Sequence, residues 1–138
     1  MNRLKILIVE DEEALQNIWR DEIESALKGD VTVLQAFTVE EGDLLLEAHA
    51  SDIAVMAVDA CVPGKTINTV PLVRKARQLL GKRPIIAVSG NVDFQKELVG
   101  AGCDPEHQCP QKCDLLCAEE LRLHRIILRL LELSDVYL

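Results

Sequence analysis

The stretch Ile53-Ala-Val-Met-Ala-Val-Asp59-Ala-Cys-Val-Pro63-Gly64 constrains the fold more than any other. Its apolar residues run for the length of one strand without alternation, which predicts a strand covered on both faces, inside a parallel sheet. Val62-Pro63-Gly64 then prevents the strand from continuing. The run therefore carries a lone carboxylate, Asp59, to the carboxyl end of a central strand, the edge at which open parallel sheets bind ligands. An aspartate there can also serve only its own turn, so its meaning depends on what the rest of the chain brings to the same edge.

The remaining segments repeat the pattern. Leu4 to Val9 is a second apolar strand and ends on Glu10-Asp11-Glu12. Residues 13–28 switch to helical spacing, with Leu15, Ile18, Trp19, Ile23, Ala26 and Leu27 on one face, and Gly29 is a natural stop. Val31 to Phe37 predicts another strand. Thr38-Val-Glu-Glu41 is a capping box opening a helix to about Ala50. After the Asp59 loop, Asn68 or Thr69 caps a third helix with Pro71 in its first turn, ending near Leu80-Gly81. Pro84-Ile-Ile-Ala-Val-Ser89-Gly90 is a fourth apolar strand, ending on a hydroxyl. Asn91 or Asp93 begins a helix to about Ala101, a fifth strand is expected near Gln108 to Gln111, and Asp114 caps a last helix to about Leu133. Five strands alternating with five helices predict an α/β, doubly wound, five-stranded parallel sheet with right-handed crossovers. Residues 1–133 form one domain and 134–138 a tail.

Composition narrows the function classes. A chain of 138 residues with 49% hydrophobic and 28% charged residues is the size and makeup of one globular domain. A formal charge of −8 argues against nucleic-acid binding by this domain alone. No apolar run approaches a membrane span and no signal peptide precedes the first strand, so a cytoplasmic protein is expected. Cys61, Cys103, Cys109, Cys113 and Cys117 are an odd set, read as reduced thiols. The Cys103–Cys117 cluster with His107 lacks the tight Cys-x2-Cys spacing of a zinc knuckle, and buried thiols are the simpler reading.

Glu10, Asp11, Asp59 and Ser89 all fall at one predicted sheet edge, and Lys112 follows the fifth strand. Carboxylates crowded in a cleft destabilise one another. A hard divalent cation such as Mg²⁺ relieves this and can clamp a phosphoryl group, which a further carboxylate, Asp59, can attack to give an acyl phosphate. Ser89 offers a hydroxyl and Lys112 a cation to phosphoryl oxygens. The competing structural roles are acids attracted to a helix start for Glu10 and Asp11, a helix cap for Ser89 and a solvated turn lysine for Lys112.

Three segments, Ile6-Leu-Ile-Val-Glu10-Asp11-Glu12, Asp59-Ala-Cys-Val-Pro63-Gly64 and Pro84-Ile-Ile-Ala-Val-Ser89-Gly90, make the chain resemble the receiver domain of two-component response regulators over about residues 1–133. The resemblance implies a flavodoxin-like fold with strand order 2-1-3-4-5. It implies Asp59 as phosphoacceptor, and Mg²⁺ held by Glu10, Asp11, Asp59 and the main-chain carbonyl of Cys61. Ser89 would be the switch hydroxyl and Lys112 the phosphate-pairing lysine. The implied donor is a phosphohistidine on a sensor histidine kinase or histidine phosphotransfer protein, and the domain would catalyse at most its own phosphorylation and dephosphorylation. The chain departs from the family where Lys112 precedes Cys113 instead of proline, and where Cys109 stands at the position of the switch aromatic, whose rotamer change cannot operate here. Lys65 and Asn91 are candidates for controlling water access to an acyl phosphate, or simply polar surface residues.

In the last helix Leu115, Leu116, Leu123, Ile126, Ile127, Leu130 and Leu131 make a core face. Cys117, Leu121 and Leu128 fall beside it, flanked by Arg122, Arg125 and Arg129. That edge reads either as a partner surface, with a homodimer as the family precedent, or as a helix edge partly covered by neighbours. The alternative to a phosphoacceptor is a pseudo-receiver, an interaction module independent of phosphorylation. A haloacid-dehalogenase-type phosphatase would need an acid two residues after Asp59, where Cys61 stands. A cobalamin-binding loop is absent.

Overall fold

The computed structural model describes residues 4–106, 108–109 and 122–135. The strands are β1 (Leu4–Val9), β2 (Val31–Ala36), β3 (Ile53–Asp59) and β4 (Ile85–Val88), with a two-residue segment β5 (Gln108–Cys109). The helices are α1 (Glu13–Ala26), α2 (Val39–His49), α3 (Val70–Leu80), α4 (Val92–Ala101) and α5 (Arg122–Asp135). All strand pairs are parallel, in the order β2-β1-β3-β4 with β5 beside β4. This is a flavodoxin-like α/β fold with five helices. The expectation of five full strands needs correcting: four strands build the sheet, and the fifth is a rung of two residues pairing Ala87 with Gln108 and Val88 with Cys109. The rest of the expected fifth strand, residues 110 and 111, lies outside the described residues.

The unbroken apolar runs are explained by the two layers of helices. Along β1, Ile6 and Ile8 face one core while Leu7 and Val9 face the other. Along β3 the split is Val55 and Ala57 against Met56 and Val58. The first core takes Leu15, Trp19 and Ile23 of α1 and Leu123, Ile127, Leu130 and Leu131 of α5. The second takes Leu46 of α2, Leu72, Val73, Ala76 and Leu80 of α3 and Leu98 of α4. Because successive side chains point to opposite faces, both parities must be apolar wherever both faces are covered.

Caps and end contacts hold the helices at their angles. Thr38 Oγ1 accepts from the Glu41 amide at 3.1 Å, and the Glu41 carboxylate accepts from the Phe37 amide at 3.2 Å, one residue before the partner a standard box would use. Lys75 of α3 pairs with Asp43, at 2.6 Å, and with Glu47, both on α2, and the two carboxylates raise its ammonium pKa. At the amino-terminal edge of the sheet, Arg77 donates to the carbonyl oxygens of Gly102, Gly81 and Arg83. Arg83 does the same for Ala50 and Ile53. These guanidinium groups bind main-chain carbonyls where helices end and strands begin. The last helix is described through Asp135, two residues beyond the expected end, and its expected start at 114–121 lies outside the described residues. No described helix is long and apolar enough to cross a membrane.

Candidate functional site

Register brings the acids together. Val9 of β1 pairs with Val58 of β3, so Glu10 and Asp59 come side by side one residue later. The Glu10 amide donates to the Ala36 carbonyl of β2 at 2.9 Å, and the Asp11 amide donates back to Glu10 Oε2 at 2.9 Å. On the other side Thr69, fully buried before α3, donates its hydroxyl to the carbonyl oxygens of Asp59 at 2.8 Å and Ala60 at 3.1 Å. Glu10 is 1% exposed and Asp59 5%, while Asp11 is partly open to solvent. One carboxylate oxygen from each of Glu10, Asp11 and Asp59 lies within 4.8 Å of the other two.

The neighbouring strand adds a hydroxyl. Asp59 pairs with Val88 of β4, so Ser89 lies one residue past that pair, and it is 5% exposed. Its Oγ accepts from the Asn91 amide at 3.1 Å, and its carbonyl accepts from Gln95 Nε2 of α4 at 2.6 Å. Asn91 Oδ1 caps α4 by accepting from the amides of Asp93 and Phe94. The hydroxyl hydrogen of Ser89 is not used by the Asn91 bond, since there the oxygen is the acceptor. An open cavity of about 320 Å³ lies over these groups, lined among others by Asp59, Cys61, Lys65, Ser89, Asn91 and Phe94. Beyond Cys61, Asn68 grips both the amide and the carbonyl of Val62, at 2.9 and 2.8 Å.

The site thus gathers Glu10, Asp11 and Asp59, with Cys61 and Ser89 beside Asp59 at one cavity. Lys65 and Asn91 reach its rim. Lys112 lies outside the described residues, as do His107, Cys113 and Cys117. Of the described cysteines, Cys61 sits against the cavity and Cys103 is buried next to Asp104.

The donor set suits a hard cation. The side-chain donors of this cluster are carboxylate oxygens, and two oxygens on opposite sides of one ion are about 4.1 Å apart for Mg²⁺ and about 4.8 Å for Ca²⁺, twice the respective bond lengths. The three carboxylate oxygens, all within 4.8 Å of one another, lie at that scale. Like charges this close and this buried are costly without a cation.

Four residues shape the site without having announced themselves in the sequence. Thr69 reads as a helix cap, yet no side-chain cap bond forms and its hydroxyl serves Asp59 and Ala60 instead. Asn68 clamps the loop. Gln95 holds the Ser89 carbonyl. Gln16, fully buried on α1, donates Nε2 to the carbonyl oxygens of Ile8, Glu10 and Ala36 at 2.9, 3.1 and 2.9 Å. Its only visible sequence signal is a polar residue adjoining the apolar Leu15-Trp19-Ile23 stripe.

Sheet order and helix layers define a flavodoxin-like α/β architecture with an acid cluster at the carboxyl edge of its sheet, and solved structures bear out the fold. The chain has the fold of response regulator receiver domains. A response regulator receiver domain protein from Methanospirillum hungatei superposes with a TM-score of 0.68 at 22% identity, covering 97% of this chain and 98% of its own. Chemotaxis response regulator CheY4 of Vibrio cholerae gives 0.68 at 16% identity, over 94% and 99%. A response regulator from Burkholderia pseudomallei, solved with a phosphorylated aspartic acid, a calcium ion and citrate, gives 0.64 at 18% identity, over 97% and 72%. No family model matches the chain, and no curated protein matches it in sequence.

Proposed function

We propose that the chain is a response regulator receiver that accepts a phosphoryl group on Asp59. The observation carrying this reading is the cluster of one oxygen each from Glu10, Asp11 and Asp59 within 4.8 Å, at a sheet edge where Ser89 stands beside Asp59. Glu10, Asp11, Asp59 and the Cys61 carbonyl are the groups that would hold Mg²⁺, and the ion when bound supplies positive charge to the transferring phosphoryl oxygens. A carboxylate oxygen of Asp59 attacks phosphorus. The new O–P bond forms as the P–N bond of a phosphohistidine breaks, and the departing imidazole keeps that electron pair and takes up a proton. Ser89 turns its hydroxyl hydrogen toward a phosphoryl oxygen, and Lys112 pairs with another. Thr69 holds the Asp59 main chain still while the side chain reacts.

The donor in this reading is a sensor histidine kinase or a histidine phosphotransfer protein, and the domain signals in the cytoplasm without turning over a substrate of its own. Its surface, with a formal charge of −8, does not suit nucleic acid. Exposed Arg125 and Arg129 beside half-buried Leu128 on α5 mark the edge through which a homodimer would form.

Incubation with acetyl phosphate and Mg²⁺, followed by intact-mass measurement, tests the proposal. The native chain should gain one phosphoryl group and Asp59→Asn none. A native chain that gains nothing, under conditions in which it is folded, overturns the phosphoacceptor reading in favour of a phosphorylation-independent interaction module.

A further inference from the structure

We infer that Gln16 is a positioning residue for the acid cluster, holding the main chain of Glu10 so that its carboxylate and that of Asp11 face Asp59. The inference rests on the proposed metal site for its consequence, but on the structure for its geometry. Gln16 lies in the first half of α1 and is 0% exposed. Its Nε2 sits among three carbonyl oxygens, those of Ile8, Glu10 and Ala36, at 2.9, 3.1 and 2.9 Å. An amide nitrogen has two hydrogens, so one bond is shared between two acceptors. That crowding of acceptors also assigns the amide orientation, because Oε1 in the same place would face three like dipoles.

The price of this arrangement is visible. Gln16 Oε1 is buried and has no hydrogen-bond partner among the described residues. An apolar residue would fill the same place between Leu15 and Trp19 without stranding a carbonyl. What an apolar residue could not do is bind Glu10 from behind. The Glu10 amide is already tied to the Ala36 carbonyl. Gln16 ties the Glu10 carbonyl and the same Ala36 oxygen. Both peptide groups flanking the Glu10 α-carbon are thereby held, one by β2 and one by α1. Since the Asp11 amide in turn binds Glu10 Oε2, the orientation passes along to the second acid. Outer partners of metal-binding side chains commonly contribute about 10- to 100-fold in affinity.

The test compares Gln16→Met, of similar shape and without donors, with Ile23→Val, a core substitution farther along the same helix face that touches none of these carbonyls. Two quantities are measured on each folded protein: Mg²⁺ affinity from Trp19 fluorescence, and amide hydrogen exchange of residues 10–12 without metal. Gln16→Met should weaken Mg²⁺ binding by about tenfold and speed exchange at Asp11 and Glu12, while Ile23→Val lowers Tm and changes neither. Equal affinity and equal exchange in native protein and Gln16→Met would overturn the inference, as would the same losses in Ile23→Val. If the native chain shows no Mg²⁺ response, the proposed function fails. The metal-free exchange then decides the positioning role alone: faster exchange confined to Gln16→Met supports it, and unchanged exchange overturns it.

Discussion

Cys103 lies buried just past α4, where removal from water pushes its thiol up to about 12; Asp104 adds to the rise and Arg77 opposes it. The ordinary value is near 9, so the native state holds a proton that the unfolded chain loses above that pH. The stability linked to this thiol is fully present below about pH 9 and is lost as pH rises toward 12. Alkylation at pH 8 should leave Cys103 unmodified in the native protein and modify it in urea, as read by peptide mass mapping; modification at equal rates in both would show that the site opens freely. The same scale separates what was legible from what was not. Glu10, Asp11, Asp59 and Ser89 could be picked out because each ends an apolar strand, and strand ends in a parallel sheet meet at one rim. Gln16, Thr69 and Gln95 could not, because their bonds go to main-chain carbonyls of residues 6 to 20 positions away, and such pairings exist only after folding.

Among the elements, the join between α3 and the end of α4 depends on close approach. Gly102 has φ +140°, and a Cβ there would lie 2.9 Å from Cβ of Arg77. That same Arg77 binds the Gly102 carbonyl through Nε at 2.9 Å and Nη2 at 2.6 Å, and Asp104 at 3.1 Å. Asp104 then accepts from the Ile85 amide at 2.8 Å, which starts β4. Gly102→Ala should therefore destabilise the fold by about 1–3 kcal/mol, seen as a lower urea midpoint at unchanged slope; an unchanged midpoint would mean the turn relaxes without cost. Helix starts show how local chemistry reads well only when it stays local. The Thr38 cap and the Asn91 cap appear as the sequence predicts. Thr69 departs from that expectation because two strand-end carbonyls compete for its hydroxyl. Of the expected fifth strand only Gln108 and Cys109 are described, and their place beside β4 is as expected.

For the whole molecule, the cation and the fold should stabilise each other. A ligand that binds only the native state at ten times its Kd adds about 1.4 kcal/mol, which for a chain of this size is a rise in Tm of a few degrees. Mg²⁺ should raise Tm in this way for the native protein and much less for Asp11→Asn; an equal rise in both would place the ion elsewhere. The two helical layers were legible in advance, because a parallel sheet covered on both faces demands unbroken apolar runs and short right-handed crossovers; the order of the four full strands came from the resemblance to receiver domains. The sequence by itself determined which residues lie in strands and which acids end them, since periodicity and turn chemistry act between near neighbours. Only the tertiary structure decided that Glu10, Asp11 and Asp59 approach within 4.8 Å, and that Gln16 joins β2 in holding Glu10 from behind. Such distances depend on register and packing between segments far apart in the chain, and no local preference encodes them.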